Sequence, residues 1–101
     1  QLPTIIFDEI DTGVSGEISN KISQIMQQMS AHMQVITITH LPQIAAKGAQ
    51  HYKVFKSDVA GTTTTNLKQL SPEERIVEIA EMLSGKEISD SALIHAKELL
   101  N

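Results

Sequence analysis

The feature that most constrains the fold is an apolar run near the start of the chain that ends at two adjacent carboxylates. Residues 2–7 read LPTIIF, and Asp8 and Glu9 follow them directly. A short apolar run with β-branched residues is typical of a buried strand. We therefore predict a buried strand over residues 2–7, with two acidic side chains at its carboxyl end.

The next segments predict a strand–helix–strand order. Residues 11–16 contain two glycines and short polar residues, which favour a turn, and Ser15 can cap the helix that follows. Apolar residues then recur at helical spacing and predict one buried stripe, formed by Ile18, Ile22, Ile25, Met26 and Met29. Residues 34–39 (QVITIT) predict a second strand. Two strands joined in this way form a parallel pair through a right-handed crossover.

The middle of the chain predicts a β-hairpin. Residues 41–47 favour a short helix that ends at Gly48. Two β-rich segments follow, residues 51–57 and 62–70, and they flank the turn-forming residues 58–61. This arrangement predicts two antiparallel strands.

The last third predicts two helices. Ser71 and Pro72, with Glu74 three residues after the serine, form a strong helix start, and Gly85 suits the end of that helix. A second helix is predicted over residues 89–100. The predicted fold class is therefore α/β, with a parallel βαβ core followed by a β-hairpin and two C-terminal helices.

The remaining charged residues predict a solvent-facing surface rather than a catalytic or metal site. The acidic residues between 73 and 81, with Arg75, favour a solvent-facing helix side with local ion pairs. Three histidines lack the spacing of metal ligands: His32, His51 and His95. The formal net charge is −4. Because surfaces that bind DNA phosphates are normally basic, we expect this segment not to be a main DNA-contacting surface.

Composition excludes several classes of protein. There are no cysteines, so disulfide scaffolds, thiol catalysis and cysteine-based zinc sites are excluded. No apolar run approaches the ~18 residues of a membrane-spanning helix, so no membrane partner is predicted. The chain starts at Gln1, immediately before the first predicted strand, and we expect it to be a piece of a longer chain.

Three reactive side chains are predicted at one edge of the parallel pair. Asp8 and Glu9 leave the end of the first strand, and His40 leaves the end of the second. Ligands of open α/β sheets bind at this edge. Two carboxylates there can hold Mg²⁺ beside a nucleotide and activate a water, and an imidazole N–H can contact a γ-phosphate. Each pattern alone fits a strand entering a polar turn and a capping histidine, whereas their joint placement in one βαβ unit gives a functional site the same weight as these structural interpretations.

Longer strings carry a family resemblance. Residues 5–9 (IIFDE) resemble the Walker B strand and catalytic glutamate of ABC and SMC ATPases, and residues 39–40 (TH) resemble their switch histidine. FDEIDTGVSG at 7–16, ITHLPQIAA at 38–46 and SPEERIVEIAEMLSG at 71–85 resemble the RecN family of SMC-like bacterial DNA repair proteins. The similarity runs in order along nearly the whole chain. It implies the C-terminal lobe of a P-loop ATPase head of the ABC/SMC type.

The resemblance implies a role for each matching residue. Asp8 corresponds to the residue that holds the Mg²⁺ of Mg-ATP, through water. Glu9 corresponds to the general base or water-orienting residue, and His40 to the sensor of the γ-phosphate. The D-loop, which contacts the nucleotide across a dimer interface, corresponds to Asp11, Thr12, Gly13, Val14 and Ser15.

The resemblance also implies partners. These are the remainder of the same ATPase head, a second head in a homodimer that sandwiches ATP, and DNA, which other parts of the parent protein contact. The implied parent is a cytoplasmic, nucleoid-associated bacterial ATPase that acts in recombinational repair of double-strand breaks.

Several family motifs are absent from these 101 residues. There is no G-x-x-x-x-G-K-[ST] phosphate loop (Walker A), Q-loop, signature motif or coiled-coil heptad run. We therefore expect residues 1–101 to form one lobe that neither binds ATP and Mg²⁺ tightly nor hydrolyses ATP alone. Exposed strand edges then favour self-association. Two alternatives stay open: an acidic interaction module that binds through residues 11–16, and an unrelated Mg²⁺-dependent phosphohydrolase that uses Asp8 and Glu9.

Overall fold

The computed structural model describes residues 3–9, 13 and 15–101. Its elements follow the predicted order and are β1 (Thr4–Asp8), α1 (Gly16–Met29), β2 (Gln34–Ile38), α2 (Pro42–Ala45), β3 (Tyr52–Val59), β4 (Thr62–Gln69), α3 (Pro72–Ser84) and α4 (Asp90–Leu100). The predicted α/β class, with its βαβ unit, hairpin and two final helices, is confirmed. No helix in the described part of the chain is long and apolar enough to cross a membrane.

β1 and β2 form a two-stranded parallel sheet whose two faces differ in burial. The register runs from Thr4 beside Gln34 to Asp8 beside Ile38. On one face the residues are half-buried, and the Thr37 hydroxyl donates a hydrogen bond to Sδ of Met26 in α1 at 3.2 Å. The other face is exposed. The prediction of a fully buried strand is therefore wrong for these residues, because α1 covers only one side of the pair.

α1 begins at the predicted cap but buries a different stripe. Ser15 caps the helix, since its side chain accepts a hydrogen bond from the Ile18 N–H at 3.4 Å. The buried side consists of Ser19, Ser23 and Met26. The two serine hydroxyls bond to backbone carbonyls within the same turn of the helix, so their burial leaves no unsatisfied donor.

The predicted apolar stripe of α1 is thus only partly buried. Met26 is buried and Ile22 and Met29 are half-buried, but Ile18 and Ile25 are 49% and 55% exposed. Small serines occupy the packed side of the helix, which displaces the isoleucines toward its flanks.

The hairpin of β3 and β4 is longer than predicted, because its turn is tighter. Asp58 and Val59 are paired with Thr63 and Thr62 instead of lying in the turn. The connection consists of Ala60 and Gly61 alone, with φ angles of 52° and 77°. Two successive residues with positive φ make a type I′ turn, whose twist matches that of the paired strands.

α3 and α4 enclose the main core. Ile79, Ala80 and Ala96 have no exposed surface, and Ala92 and Ala46 are nearly as buried. The predicted helix start is confirmed as a complete capping box, in which the Ser71 hydroxyl accepts from the Glu74 N–H and the Glu74 carboxylate accepts from the Ser71 N–H. α2 packs against both α1 and α3 and so joins the βαβ unit to this core.

Candidate catalytic site at the carboxyl ends of β1 and β2

The two parallel strands end side by side, and the three predicted side chains lie at this end. Asp8 is the last residue of β1 and is level with Ile38, the last residue of β2. The Glu9 N–H donates to the Ile38 carbonyl at 2.9 Å, so the pairing extends one residue past β1. His40 follows two residues after Ile38. All three predicted residues, Asp8, Glu9 and His40, are exposed at the same edge of the sheet.

Glu9 has an unusual backbone conformation. Its φ is 53°, and it shares a positive φ only with Ala60 among the described non-glycine residues. A residue with a Cβ is strained in this region by roughly 1–3 kcal/mol, and such strain is concentrated at functional sites. The positive φ at Glu9 turns the chain out of the extended conformation of β1 at this residue. Glu9 is therefore a stronger candidate than an ordinary acidic residue in a turn.

His40 lies between β2 and the start of α2. The Leu41 N–H donates to the Thr39 hydroxyl at 3.0 Å, which closes a tight turn around the histidine. The Leu41 carbonyl then accepts from the N–H groups of Ile44 and Ala45. Pro42 occupies the first turn of α2, where its missing N–H costs nothing. The backbone on both sides of His40 is thus fixed, while its imidazole is open to solvent.

The carboxylates fit Mg²⁺ that arrives with a nucleotide better than a metal held by protein groups alone. Among the residues that the structure describes, no group of three or more potential metal ligands comes together. Mg²⁺ is usually bound by one or two carboxylates, with phosphate oxygens and waters completing its octahedron. Asp8 and Glu9 offer that partial ligand set at an exposed edge.

The predicted D-loop is only partly described. Asp11, Thr12 and Val14 lie outside the described residues. Gly13 is exposed, and Ser15 is the N-cap of α1. The predicted role of this loop at a dimer interface stays a prediction.

Arg75 is a residue that sequence reasoning placed wrongly. Instead of forming local ion pairs in solvent, it is half-buried, and its Nη2 donates to the carbonyls of Ala45 and Ala46 at 3.0 and 3.2 Å and also to that of Gly48. Burial lowers the pKa of the guanidinium from its usual value. The one available signal was its position four residues before Ile79, which puts both side chains on one face of α3.

Two acidic side chains of α3, Glu74 and Glu78, pair with lysines of the hairpin rather than with groups of their own helix. Lys53 and Glu78 form an ion pair at 2.7 Å, and Lys68 pairs with Glu74. The Lys68 ammonium and the Ser71 N–H lower the pKa of Glu74 to about 2. These pairs border an open cleft of about 450 Å³ between the hairpin and α3. None of its lining residues belongs to the β1–β2 edge, so the cleft is separate from the candidate site.

Curated relatives match nearly the whole chain. The DNA repair protein RecN of Bacillus subtilis is 46% identical over 97 residues, which are 96% of this chain and 17% of that protein. RecN of Rickettsia conorii is 46% identical over 98% of this chain and 18% of its own length. RecN of Haemophilus influenzae is 40% identical over 99% of this chain and 18% of its own length. No family profile matches the chain. The predicted resemblance to the C-terminal region of RecN is confirmed.

A solved structure gives the same fold. It belongs to a study of ATP-driven dimerization and DNA-stimulated activation of SMC ATPases, and it aligns with a TM-score of 0.64 at 21% identity. The alignment covers 81% of this chain and 48% of that chain. The present chain therefore has the fold of part of an SMC ATPase, and it spans less than one fifth of the length of its RecN relatives.

Proposed function

We propose, from the match of nearly the whole chain to the C-terminal region of RecN, that residues 1–101 are the C-terminal lobe of the ATP-hydrolysing head of a RecN-like DNA repair protein. The observation that supports the proposal is the position of Asp8, Glu9 and His40 in the chain, at the carboxyl ends of two paired parallel strands. The SMC-type fold supports it, because that structural neighbour belongs to a study of ATP-driven dimerization of SMC ATPases.

Each of the three residues has a separate role in ATP hydrolysis. Asp8 would hold Mg²⁺, which would supply positive charge opposite the phosphates. Glu9 accepts a proton from the water that attacks the γ-phosphate, and its exposed carboxylate is accessible to that water. His40 donates an N–H to the γ-phosphate, so that its contact is lost when the phosphate leaves. ATP and water are converted in this way into ADP and inorganic phosphate.

The remainder of the site comes from outside this lobe. The phosphate loop is provided by another part of the same head, since these residues contain no such sequence. The loop of residues 11–15 (Asp11, Thr12, Gly13, Val14 and Ser15) reaches a second head, and two heads close on two ATP molecules as a homodimer. DNA is bound by more basic parts of the parent, because this lobe carries a net charge of −4. The parent acts on DNA at the bacterial nucleoid, in the cytoplasm.

Replacing Glu9 by glutamine in the intact protein tests the proposal. The amide keeps the shape of the side chain but cannot accept the proton, so kcat should fall by roughly 100- to 10,000-fold. ATP binding should persist, and head dimers should accumulate with ATP bound. The measurements are steady-state ATP turnover, nucleotide binding by calorimetry, and sedimentation with and without ATP.

The matched control is Glu17→Gln, which makes the same change at an exposed position in the first turn of α1. It should hydrolyse ATP at the normal rate. Wild-type turnover by the Glu9→Gln protein would show that Glu9 is not the base and would remove the main support for the proposed function.

A further inference from the structure

The C-terminal end of α2 is held by side chains from two other helices. Arg75 of α3 donates to the carbonyls of Ala45, Ala46 and Gly48. Gln27 of α1 donates from Nε2 to the intervening Lys47 carbonyl at 3.1 Å. The last carbonyls of a helix have no partner within it, and the side chain of an arginine can donate hydrogen bonds to them. α2 has only four residues, so outside contacts determine where it lies.

α2 in turn determines the position of the backbone at His40. The Leu41 carbonyl accepts the first hydrogen bonds of α2, from Ile44 and Ala45. Pro42 and Ile44 are buried, which anchors the body of the short helix. His40 immediately precedes this anchored segment. A shift of the end of α2 therefore moves the histidine relative to the carboxylates at the end of β1.

The burial of Arg75 is better explained by this contact than by general stabilisation. The ion pairs of α3 use Glu74 and Glu78 with hairpin lysines, whereas the guanidinium lies against neutral carbonyls. Its Nε is buried and has no hydrogen-bond partner. Burying a cation in this way is unfavourable compared with an apolar side chain of similar size.

We infer that Arg75 is a positioning residue for His40: by binding the end of α2, it sets where the histidine stands when it contacts the γ-phosphate. This inference rests on the proposed function of His40. Arg75 does not itself touch the nucleotide. Its removal therefore lowers the rate of the chemical step and leaves nucleotide affinity, which depends mainly on the phosphate loop of the other lobe, little changed.

A double-mutant cycle in the intact protein tests this inference. Arg75→Gln should lower kcat by about 10- to 100-fold with little change in KM, because small misplacements of a catalytic group cost factors of this size. In a His40→Gln background, the same substitution should lower kcat by less than about 2-fold, since the group that it positions is already gone. Arg75→Lys should retain most of the activity, because an ammonium can also donate to several carbonyls.

Two further variants serve as a control and as an independent test. Lys97→Gln removes one positive charge from an exposed position on α4 and should leave turnover unchanged. Gln27→Ala removes only the contact to Lys47, and it should give a smaller loss of kcat that also depends on His40. If a thermal melt shows that the Arg75→Gln protein does not fold, the Gln27→Ala protein tests the inference in its place.

The outcomes separate the inference from the proposed function. Equal losses of kcat with and without the His40 imidazole would mean that Arg75 supports the fold in general, and the positioning role would be overturned. Wild-type turnover by Arg75→Gln would overturn it as well. Wild-type turnover by His40→Gln or Glu9→Gln would contradict the proposed function itself, and the inference would fail with it.

Discussion

The two halves of this chain differ in whether they enclose a core of apolar side chains. In the half made of β3, β4, α3 and α4, Ile79, Ala80 and Ala96 are fully enclosed. In the half made of β1, α1 and β2, the most buried side chains are Ser19 and Ser23. The difference shows that α3 and α4 enclose a core, whereas β1, α1 and β2 do not. The hairpin also has an open apolar face, on which the paired residues Val54 and Leu67 are each 66% exposed.

The open surface of the βαβ half is apolar and continuous. Ile6, Ile36 and Ile38 lie on one face of the parallel pair and are 60%, 42% and 52% exposed. Exposed apolar patches of this kind mark surfaces that bind other protein. The predicted remainder of the ATPase head is a natural partner for this face, and without it the chain is expected to self-associate through the same face or through its strand edges. Both statements stay predictions.

The largest expected effect is on the free energy of unfolding, when one isoleucine from each half is replaced by alanine. Ile79→Ala removes a fully buried side chain from the core of α3 and α4, and it should lower the free energy of unfolding by about 2–5 kcal/mol. Ile25→Ala makes the same change in α1, where the side chain is 55% exposed, and should change stability by no more than about 0.5 kcal/mol. Urea unfolding measures both values. Similar losses at the two positions would mean that the βαβ half has a core of its own.

A smaller effect on stability is expected when the two serine caps are removed one at a time. Ser71→Ala removes one half of a reciprocal capping box, and it should cost about 1 kcal/mol. Ser15→Ala breaks one longer hydrogen bond, at 3.4 Å, and should cost less than about 0.5 kcal/mol. Thermal unfolding of both variants tests the ranking. The reverse order would show that the first turn of α1 contributes more to stability than its geometry indicates.

The smallest expected effect is a pH dependence that belongs to the C-terminal half. Burial, and then the nearby Arg75 and Lys53 cations, lower the pKa of His51 from its ordinary value of 6.5, although Glu78 acts in the opposite direction. The unfolded chain therefore binds the proton more readily. Stability from this group is fully present above pH 6.5 and is lost as the pH falls from 6.5 through the lower folded pKa.

His51→Gln should remove this slope, as measured by the unfolding free energy between pH 7 and pH 5, roughly the range in which histidine changes charge. His95→Gln, which removes an exposed imidazole on α4, is the control and should retain the slope. The depressed pKa of Glu74 acts in a lower window, since its contribution is present above 4.5 and is lost as the pH falls toward about 2. An unchanged slope in the His51→Gln protein would assign the acid sensitivity to other groups.

Local chemistry made much of the fold predictable. The capping box at Ser71 and the cap at Ser15 follow from residues within one helical turn. The position of Asp8, Glu9 and His40 at one edge of the sheet follows from the order of the elements, because parallel strands end at the same edge. The chemical roles of these residues come from the resemblance, and they stay predictions.

Features that depend on distant parts of the chain were not predictable. Arg75 contacts carbonyls about thirty residues away. This contact depends on how α2 packs against α3, and the spacing of apolar residues does not predict that packing. The exposed face of β1 was predicted as buried, because an apolar strand carries no information on which layers cover it. The turn at Ala60 and Gly61 was predicted to be wider, since alanine rarely adopts a positive φ.

The type I′ turn has a consequence for the order in which the chain folds. Its two residues bring β3 and β4 together from neighbouring positions, so little chain entropy is lost when the hairpin zips from that end. β1 and β2 pair across thirty residues, from Thr4 to Gln34, and α1 must form between them. Hairpins form within microseconds, whereas non-local parallel pairing is slow. We expect the hairpin to be in place first, so that the edge carrying Asp8 and His40 is assembled last.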